Sequence, residues 1–399
     1  MPTTVTAAVG YPSPAHAECP YPLYDELRRD LPVVRVEETG DYLVTRFEDV
    51  HFALSRPDLF SSDVGAAAPR ENSGGYRSML NTDPPEHAAK RRLAFDPFKP
   101  GRLRALEPDV RAIVDAVIDG FADAGAAELM EDFALPIPIK VTSLLMGLPE
   151  ADYEQIKDWS SIEGSGQAYL HGEERERDRA KDKRMVEYLK ALLRERRANP
   201  GEDVISEMIA AQVERDGTYD ERILEAEGAT LLLGGIVTTA HLIASTAHLL
   251  LASPATLAAV RGDHGRIPRV LEESLRIESP VQWRPRRCTQ NTELGGVEIP
   301  EGARVLLVLG AANRDERCFA APATLDPERA NVKRHVAFGY GPHFCLGAPL
   351  ARLEGRIAFE RLLTRVDDLQ LAVDPDSVPH IRSVLFRAPA ALPVTFRNA

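Results

Sequence analysis

Cysteine is scarce in this chain. Cys19, Cys288, Cys318 and Cys345 are scattered over 399 residues, too sparsely for a disulfide framework, so a reducing compartment is expected. Cys345 has no nearby second cysteine or histidine at zinc-ligand spacing. A basic surplus is also missing: 48 Lys and Arg against 61 Asp and Glu leave a net charge of −13 and a pI near 5.4, which argues against nucleic acid as a partner. Met1 to Tyr11 lacks the basic region and apolar run of a signal peptide, and a cytoplasmic protein without a membrane is expected. One uncharged run, Gly228 to Ala252, is long enough to span a bilayer. It also holds His241, His248, four threonines and a Gly-Gly pair, with no flanking Lys/Arg bias, so it reads as a buried helix. What the chain does have is a 44% hydrophobic fraction, enough for a large core.

The stretch around which the rest is organised is Phe338-Gly339-Tyr340-Gly341-Pro342-His343-Phe344-Cys345-Leu346-Gly347. Its glycines and proline punctuate a turn in which backbone N–H groups can converge on one sulfur. Leu350, Leu353 and Ile357 then recur at helical spacing, with Arg352, Glu354 and Arg356 between. Cys345 therefore precedes a helix N-terminus, where dipole and N–H donors favour thiolate. An arbitrary lone cysteine beside a glycine turn is usually just buried. A lone thiolate used as a metal ligand suits haem better than zinc, because a haem iron needs one strong axial ligand from the chain. No Cys-x-x-Cys-His is present, so the haem is not expected to be covalent.

The complete pattern Phe-Gly-x-Gly-x-His-x-Cys-x-Gly resembles the haem-ligand loop of the cytochrome P450 superfamily, in its soluble bacterial form. The resemblance extends over nearly the whole chain. It implies a mainly α fold with a small antiparallel β region, a single domain over 1–399, and a buried non-covalent haem b. The β-rich parts are expected near 31–46, 281–310 and 380–397, a long distal helix near 220–253, and the ligand loop at 338–347.

Taken in order, Tyr21–Asp30 reads as an amphipathic helix, Val33–Val36 and Tyr42–Val44 as strands and Phe47–Leu54 as a second helix. Ser61–Tyr76 reads as a mobile loop, which in the resembled family covers the substrate pocket. Asp83-Pro84-Pro85-Glu86-His87 opens a helix whose His87 and Arg91 share a face. By resemblance these two hold a haem propionate. Lys99, Arg102 and Arg104 form a basic run, ordinarily mere surface, that could dock an acidic electron-transfer protein. The region 104–198 is helical, with a break at Pro136-Ile137-Pro138 and ends at Gly147-Leu148-Pro149 and Asn199-Pro200-Gly201. Within it, Gly164–Leu170 sits where the family places a pocket-roof loop.

Asp220 to about Ser253 has no proline and reads as one buried helix. Gly234 and Gly235 cost roughly 1 kcal/mol each relative to alanine inside a helix, a cost tolerated where close approach is needed. Thr238 follows one turn later. A threonine there ordinarily bonds back to a carbonyl; the resemblance instead makes Gly234, Gly235 and Thr238 the oxygen-binding groove. The departure is Val237, at the position where the family usually carries the Asp or Glu that relays protons. Valine cannot do so.

In the C-terminal third, Glu273 and Arg276 are three apart on a helix and, with Arg329 of Asp326-Pro327-Glu328-Arg329, match the family's structural ion-pair set. By resemblance Arg286 is the second propionate ligand, with Arg287 the competing choice and His343 a further propionate contact. Trp283 and Arg284 lie near the pocket. An outward, solvated Arg284 is the ordinary expectation; turned inward it could recognise a carboxylate. Val297–Ile299 and Val305–Leu309 read as a hairpin around Pro300-Glu301-Gly302, and Ser383–Leu385, with Val384, as a pocket wall.

The resemblance implies a monooxygenase that inserts one atom of dioxygen into a small organic substrate, with Cys345 on iron, Phe338 packed against the loop that Gly347 closes, and Thr238 at the bound oxygen. No flavin or iron–sulfur motif is present, so electrons are expected from a ferredoxin and its reductase. Two alternatives stay open: an enzyme of the same family that couples substrates without inserting oxygen, and a haem sensor without turnover.

Overall fold

The computed structural model describes residues 6–64, 77–160 and 173–398. Of the expected loop Ser61–Tyr76, residues 65–76 lie outside them, as does the roof loop 164–170; Ser61 ends a short strand instead.

Eleven strands are seen among the described residues: β1 (Thr6–Ala7), β2 (Val33–Val36), β3 (Tyr42–Val44), β4 (Phe60–Ser61), β5 (Ala126–Glu128), β6 (Arg284–Cys288), β7 (Thr292–Leu294), β8 (Val297–Ile299), β9 (Arg304–Leu307), β10 (Val366–Leu371) and β11 (Pro393–Asn398). The larger sheet runs β1-β2-β3-β9-β6-β4, and two smaller ones run β10-β11-β5 and β7-β8. Most pairings are antiparallel; β1–β2 and β3–β9 are parallel. β3 and β9 lie far apart in sequence, so their pairing closes the N-terminal third onto the C-terminal third.

The expected hairpin between Val297–Ile299 and Val305–Leu309 does not form. β8 pairs with β7, and β9 instead lies between β3 and β6. The turn is Gly295-Gly296, with φ of +57° and +79°. Two successive positive φ values suit a two-residue hairpin turn and go to glycine without strain. The expected break at Pro136-Ile137-Pro138 is seen: one helical segment, Met130–Ala134, ends just before it. Pro136 and Pro138 open the next helix, Pro136–Met146, where a missing N–H costs little, and Gly147 ends it at φ +67°.

The long helix runs Glu221–Leu251, capped by the Asp220 side chain accepting from the Arg222 N–H. Its 31 residues are enough to cross a membrane, but 67% of its most apolar window is buried in the fold. Ala229, Leu232 and Ile236 join one core with the helices Glu173–Ala198 and Val204–Asp216; Leu242, Ile243 and Ala247 join a second with the helices Pro100–Asp119 and Ala348–Arg365. Gly234 and Gly235 differ in function. A Cβ on Gly235 would come within 2.9 Å of Thr142 Oγ1, so this glycine admits the helix Pro136–Met146, whereas a Cβ on Gly234 would meet nothing within 4 Å.

Candidate active site

A cavity of about 1220 Å³ lies between the long helix, the 338–347 loop and strand β6. Cys345 and Gly347 reach it from the loop, Gly234, Gly235, Val237 and Thr238 from the helix. Trp283 and Val384 also line it.

The loop's shape follows from its glycines. Gly339 and Gly341 adopt φ of +71° and +70°, and a Cβ on Gly341 would stand 2.8 Å from the Leu54 carbonyl. The chain turns so that the Cys345 N–H donates to Phe338 O at 2.8 Å. Burial raises the Cys345 thiol, and the N–H groups of Gly347 and Ala348 with the guanidinia of Arg284 and Arg91 pull it down. The half-buried sulfur therefore has donors and cations about it that favour its thiolate.

Phe338 packs beside this loop, 6.2 Å from the Phe344 ring. Arg352 lies 4.6 Å over its face and His335 stands 6.0 Å from it. Glu272 holds both: its carboxylate accepts from Arg352 Nε at 2.5 Å and lies 3.0 Å from His335 Nε2. Burial works against this carboxylate, yet the two partners bring its pKa down to about 2. Behind it Glu273 accepts from Arg276 at 2.7 and 2.8 Å and from Arg329 at 2.9 Å. Arg276 and Glu273 are fully buried, and the Asn313 and Pro322 carbonyls take up further Arg276 donors.

At the cavity edge the rings of His87 and His343 meet at a tilt of 44° with centroids 4.1 Å apart. His343 Nε2 is 3.0 Å from Ser62 Oγ, while buried His87 Nε2 has no partner among the described residues. Burial first, then Arg286, His87, Arg91 and Arg284, lowers the His343 pKa to about 3. Arg284 and Arg286 alternate along β6 and so share a face, and both line the cavity. Among the described residues Arg286 donates only to the Pro285 carbonyl, at 2.8 Å, and burial with the charge of Arg284 lowers its pKa to about 10. Arg287 turns away to the Asp63 carbonyl. The expectation of an outward Arg284 is corrected: it faces the cavity, because its strand neighbours alternate and Arg286 fixes the phase. Neither Arg284 nor Arg91 has an ion-pair partner among the described residues.

Three guanidinia on one wall, Arg286 buried and Arg91 and Arg284 half-buried, without a paired carboxylate among the described residues favour an anion there. A group with two carboxylates and a metal that prefers thiolate fits this donor set.

Thr238 Oγ1 donates to the Gly234 carbonyl at 2.8 Å, the ordinary helix-interior bond, while still lining the cavity. Of the basic run, Lys99 pairs with Asp96 at 2.7 Å and Arg102 with Glu207. Glu354 reads in the sequence as a polar-face residue between two arginines. In the structure it is 1% exposed, borders the cavity and is held well above the usual carboxylate range by burial. Its position on the helix turn facing Leu350 and Ile357 was the available signal. Glu272 left none beyond its place beside Glu273.

The cytochrome P450 family model matches residues 167–382. Cytochrome P450 107B1 of Saccharopolyspora erythraea is 37% identical over 387 residues, covering 92% of each chain. The 6-deoxyerythronolide B hydroxylase of the same organism is 35% identical, covering 94% of this chain and 95% of its own. Among solved structures, cytochrome P450 CYP109Q5 from Chondromyces apiculatus superposes with a TM-score of 0.87 at 32% identity, over 100% of both chains. The fold is that of a haem-thiolate oxygenase. This chain belongs to the cytochrome P450 family; it is a P450 monooxygenase, an oxidoreductase whose cofactor is haem b.

Proposed function

We propose that the chain forms one haem-thiolate domain that hydroxylates, dealkylates or epoxidises a small anionic organic substrate in the cytoplasm. The observation that supports this most is the meeting of the Cys345 sulfur, the Gly234–Thr238 groove and three uncompensated arginines in one cavity. Haem b supplies thiolate-assisted activation of dioxygen when bound. The chain's residues do the rest. Cys345 would hold the haem iron through the sulfur, which Phe338, under Arg352, would shield from water. His87, Arg91, Arg286 and His343 would hold the two propionates. Gly234 opens the groove, Gly235 lets the neighbouring helix close on it, and Thr238 presents a hydroxyl there. Glu273, Arg276 and Arg329 hold the loops behind the cofactor.

Arg284 remains over once two carboxylates are matched to Arg91 and Arg286, so it binds a carboxylate of the substrate. Electrons come from a ferredoxin and its reductase; Arg104, which has no ion pair among the described residues, is the cation of the basic run left free to meet an acidic partner.

Turnover with a ferredoxin system under isotopically labelled dioxygen tests the reading. One labelled oxygen atom in the product supports it. Val237, which cannot relay protons, favours the second reading, oxidative coupling; a coupled product without label decides for that.

A further inference from the structure

Oxygen insertion consumes protons, and Val237 lines the cavity where a proton-exchanging group is needed. At 3.6 residues per turn, positions 238, 241, 245 and 248 fall on one stripe of a helix. On the long helix these are Thr238, His241, Ser245 and His248, polar groups in the half of the helix that carries no charged residue.

The inner end of the stripe is Thr238, on the cavity wall. His241 is fully buried, and neither ring nitrogen has a hydrogen-bond partner among the described residues. A neutral imidazole carries one N–H, so a buried donor here lacks a protein acceptor, which in a dry core costs about 1–3 kcal/mol. Ser245 is 1% exposed and its hydroxyl also has no partner. Thr230, Thr238 and Thr246 on the same helix each close a bond to the carbonyl four residues back; Ser245 does not take that option. The outer end is anchored. His248 Nε2 lies 3.0 Å from the Pro375 carbonyl, and its ring meets half-buried His380 edge-on at 6.1 Å. Phe386, itself on the cavity wall, packs 5.7 Å from His241, so the stripe faces the segment from Pro375 to Phe386.

We propose that Thr238, His241, Ser245 and His248 form a path, bridged by internal water, that carries protons from the surface near His380 to the cavity in place of the acid absent at Val237. The inference rests on the monooxygenase reading. An axial rise of about 1.5 Å per residue spaces successive groups about 4.5–6 Å apart along the helix, a gap one water bridges between two polar atoms. His241 accepts a proton on one nitrogen while releasing the proton on the other. One proton thus moves inward, another enters behind it from solvent, and no charge is stored. Burial, which lowers the His241 pKa to about 3, keeps the ring neutral between transfers.

The test uses the haem-loaded, reduced, carbon monoxide-bound protein with 15N-labelled histidine. Magnetisation transfer from water to the His241 ring N–H is followed by NMR, the signal being assigned by its loss in His241→Phe. The path predicts a water-contacting ring N–H that exchanges within about a second, slowed at least tenfold in Ser245→Val and unchanged in Thr246→Val. A ring N–H protected for hours, or one indifferent to Ser245→Val, overturns it. Where His241→Phe fails to fold, the same loss of signal in His241→Gln makes the assignment, and Ser245→Val carries the comparison. The carbon monoxide spectrum of each sample keeps the outcomes apart: its thiolate character reports on the haem reading, the exchange rate on the path.

Discussion

At the scale of single residues, charge balance decides more than motif. Arg284, Arg91 and Arg286 occupy one wall, and a cofactor with two carboxylates leaves one guanidinium to spare. Replacing Arg284 by leucine removes that surplus. Dodecanoate is then expected to bind the haem-loaded protein at least tenfold more weakly, while dodecanol binding changes little, both followed through the Soret band. A buried charge-assisted hydrogen bond contributes about 1.5–3 kcal/mol, which sets the size of the loss. Equal weakening of both ligands would show that Arg284 serves the cofactor instead. This residue also marks where the sequence stops being legible. Arg284 was nameable as a pocket candidate, but its direction depended on the pairing of β6 with β9, Arg284 opposite Leu307 and Arg286 opposite Val305, which no local pattern reveals.

At the scale of elements, the two glycines of the long helix separate packing from access. Gly235→Ala sets a methyl 2.9 Å from Thr142 Oγ1 and is expected to destabilise the fold by about 1–2 kcal/mol, overpacking outweighing the gain in helix propensity. Gly234→Ala meets no such contact and is expected to raise stability by about 0.5–1 kcal/mol while narrowing the groove. Chemical denaturation of the two variants checks the sign of each. The helix itself was readable from its missing prolines and charges, and its ends fall at Asp220 and Ala252, close to the expected bounds. The failure at Val297–Leu309 has a physical cause. Pro300-Glu301-Gly302 is a good local turn, but β9 gains two long-range partners by leaving β8, and Gly295-Gly296 offers β8 a shorter hairpin.

At the scale of the molecule, two adjacent acids on the helix Ile267–Ile277 tie the proximal side together. Glu273 with Arg276 and Arg329 was visible as a spaced motif. Glu272 was not, since its partners Arg352 and His335 are brought in by tertiary packing. Because the folded-state pKa of Glu272, about 2, lies below the ordinary 4.5 of a glutamate, the unfolded chain binds its proton first. Its contribution is complete above about pH 5 and is lost as pH falls towards 2. Glu272→Gln is expected to lower stability at neutral pH by about 2–3 kcal/mol and to flatten the acid limb of the pH–stability profile between those values. Unfolding curves collected from pH 3 to pH 7 measure both. An unchanged acid limb would mean that other carboxylates dominate there. Glu273→Ala, which leaves two buried guanidinia without their acid, is expected to cost more, about 3–5 kcal/mol.

The central claim is that Cys345 binds the haem iron as a thiolate. The most direct measurement is the absorption spectrum of the dithionite-reduced protein under carbon monoxide, compared between wild type and Cys345→Ala. A strongly red-shifted Soret band in wild type that disappears in the variant is the predicted result. A histidine-type haem spectrum in wild type, or a red-shifted band that survives the loss of Cys345, would contradict it.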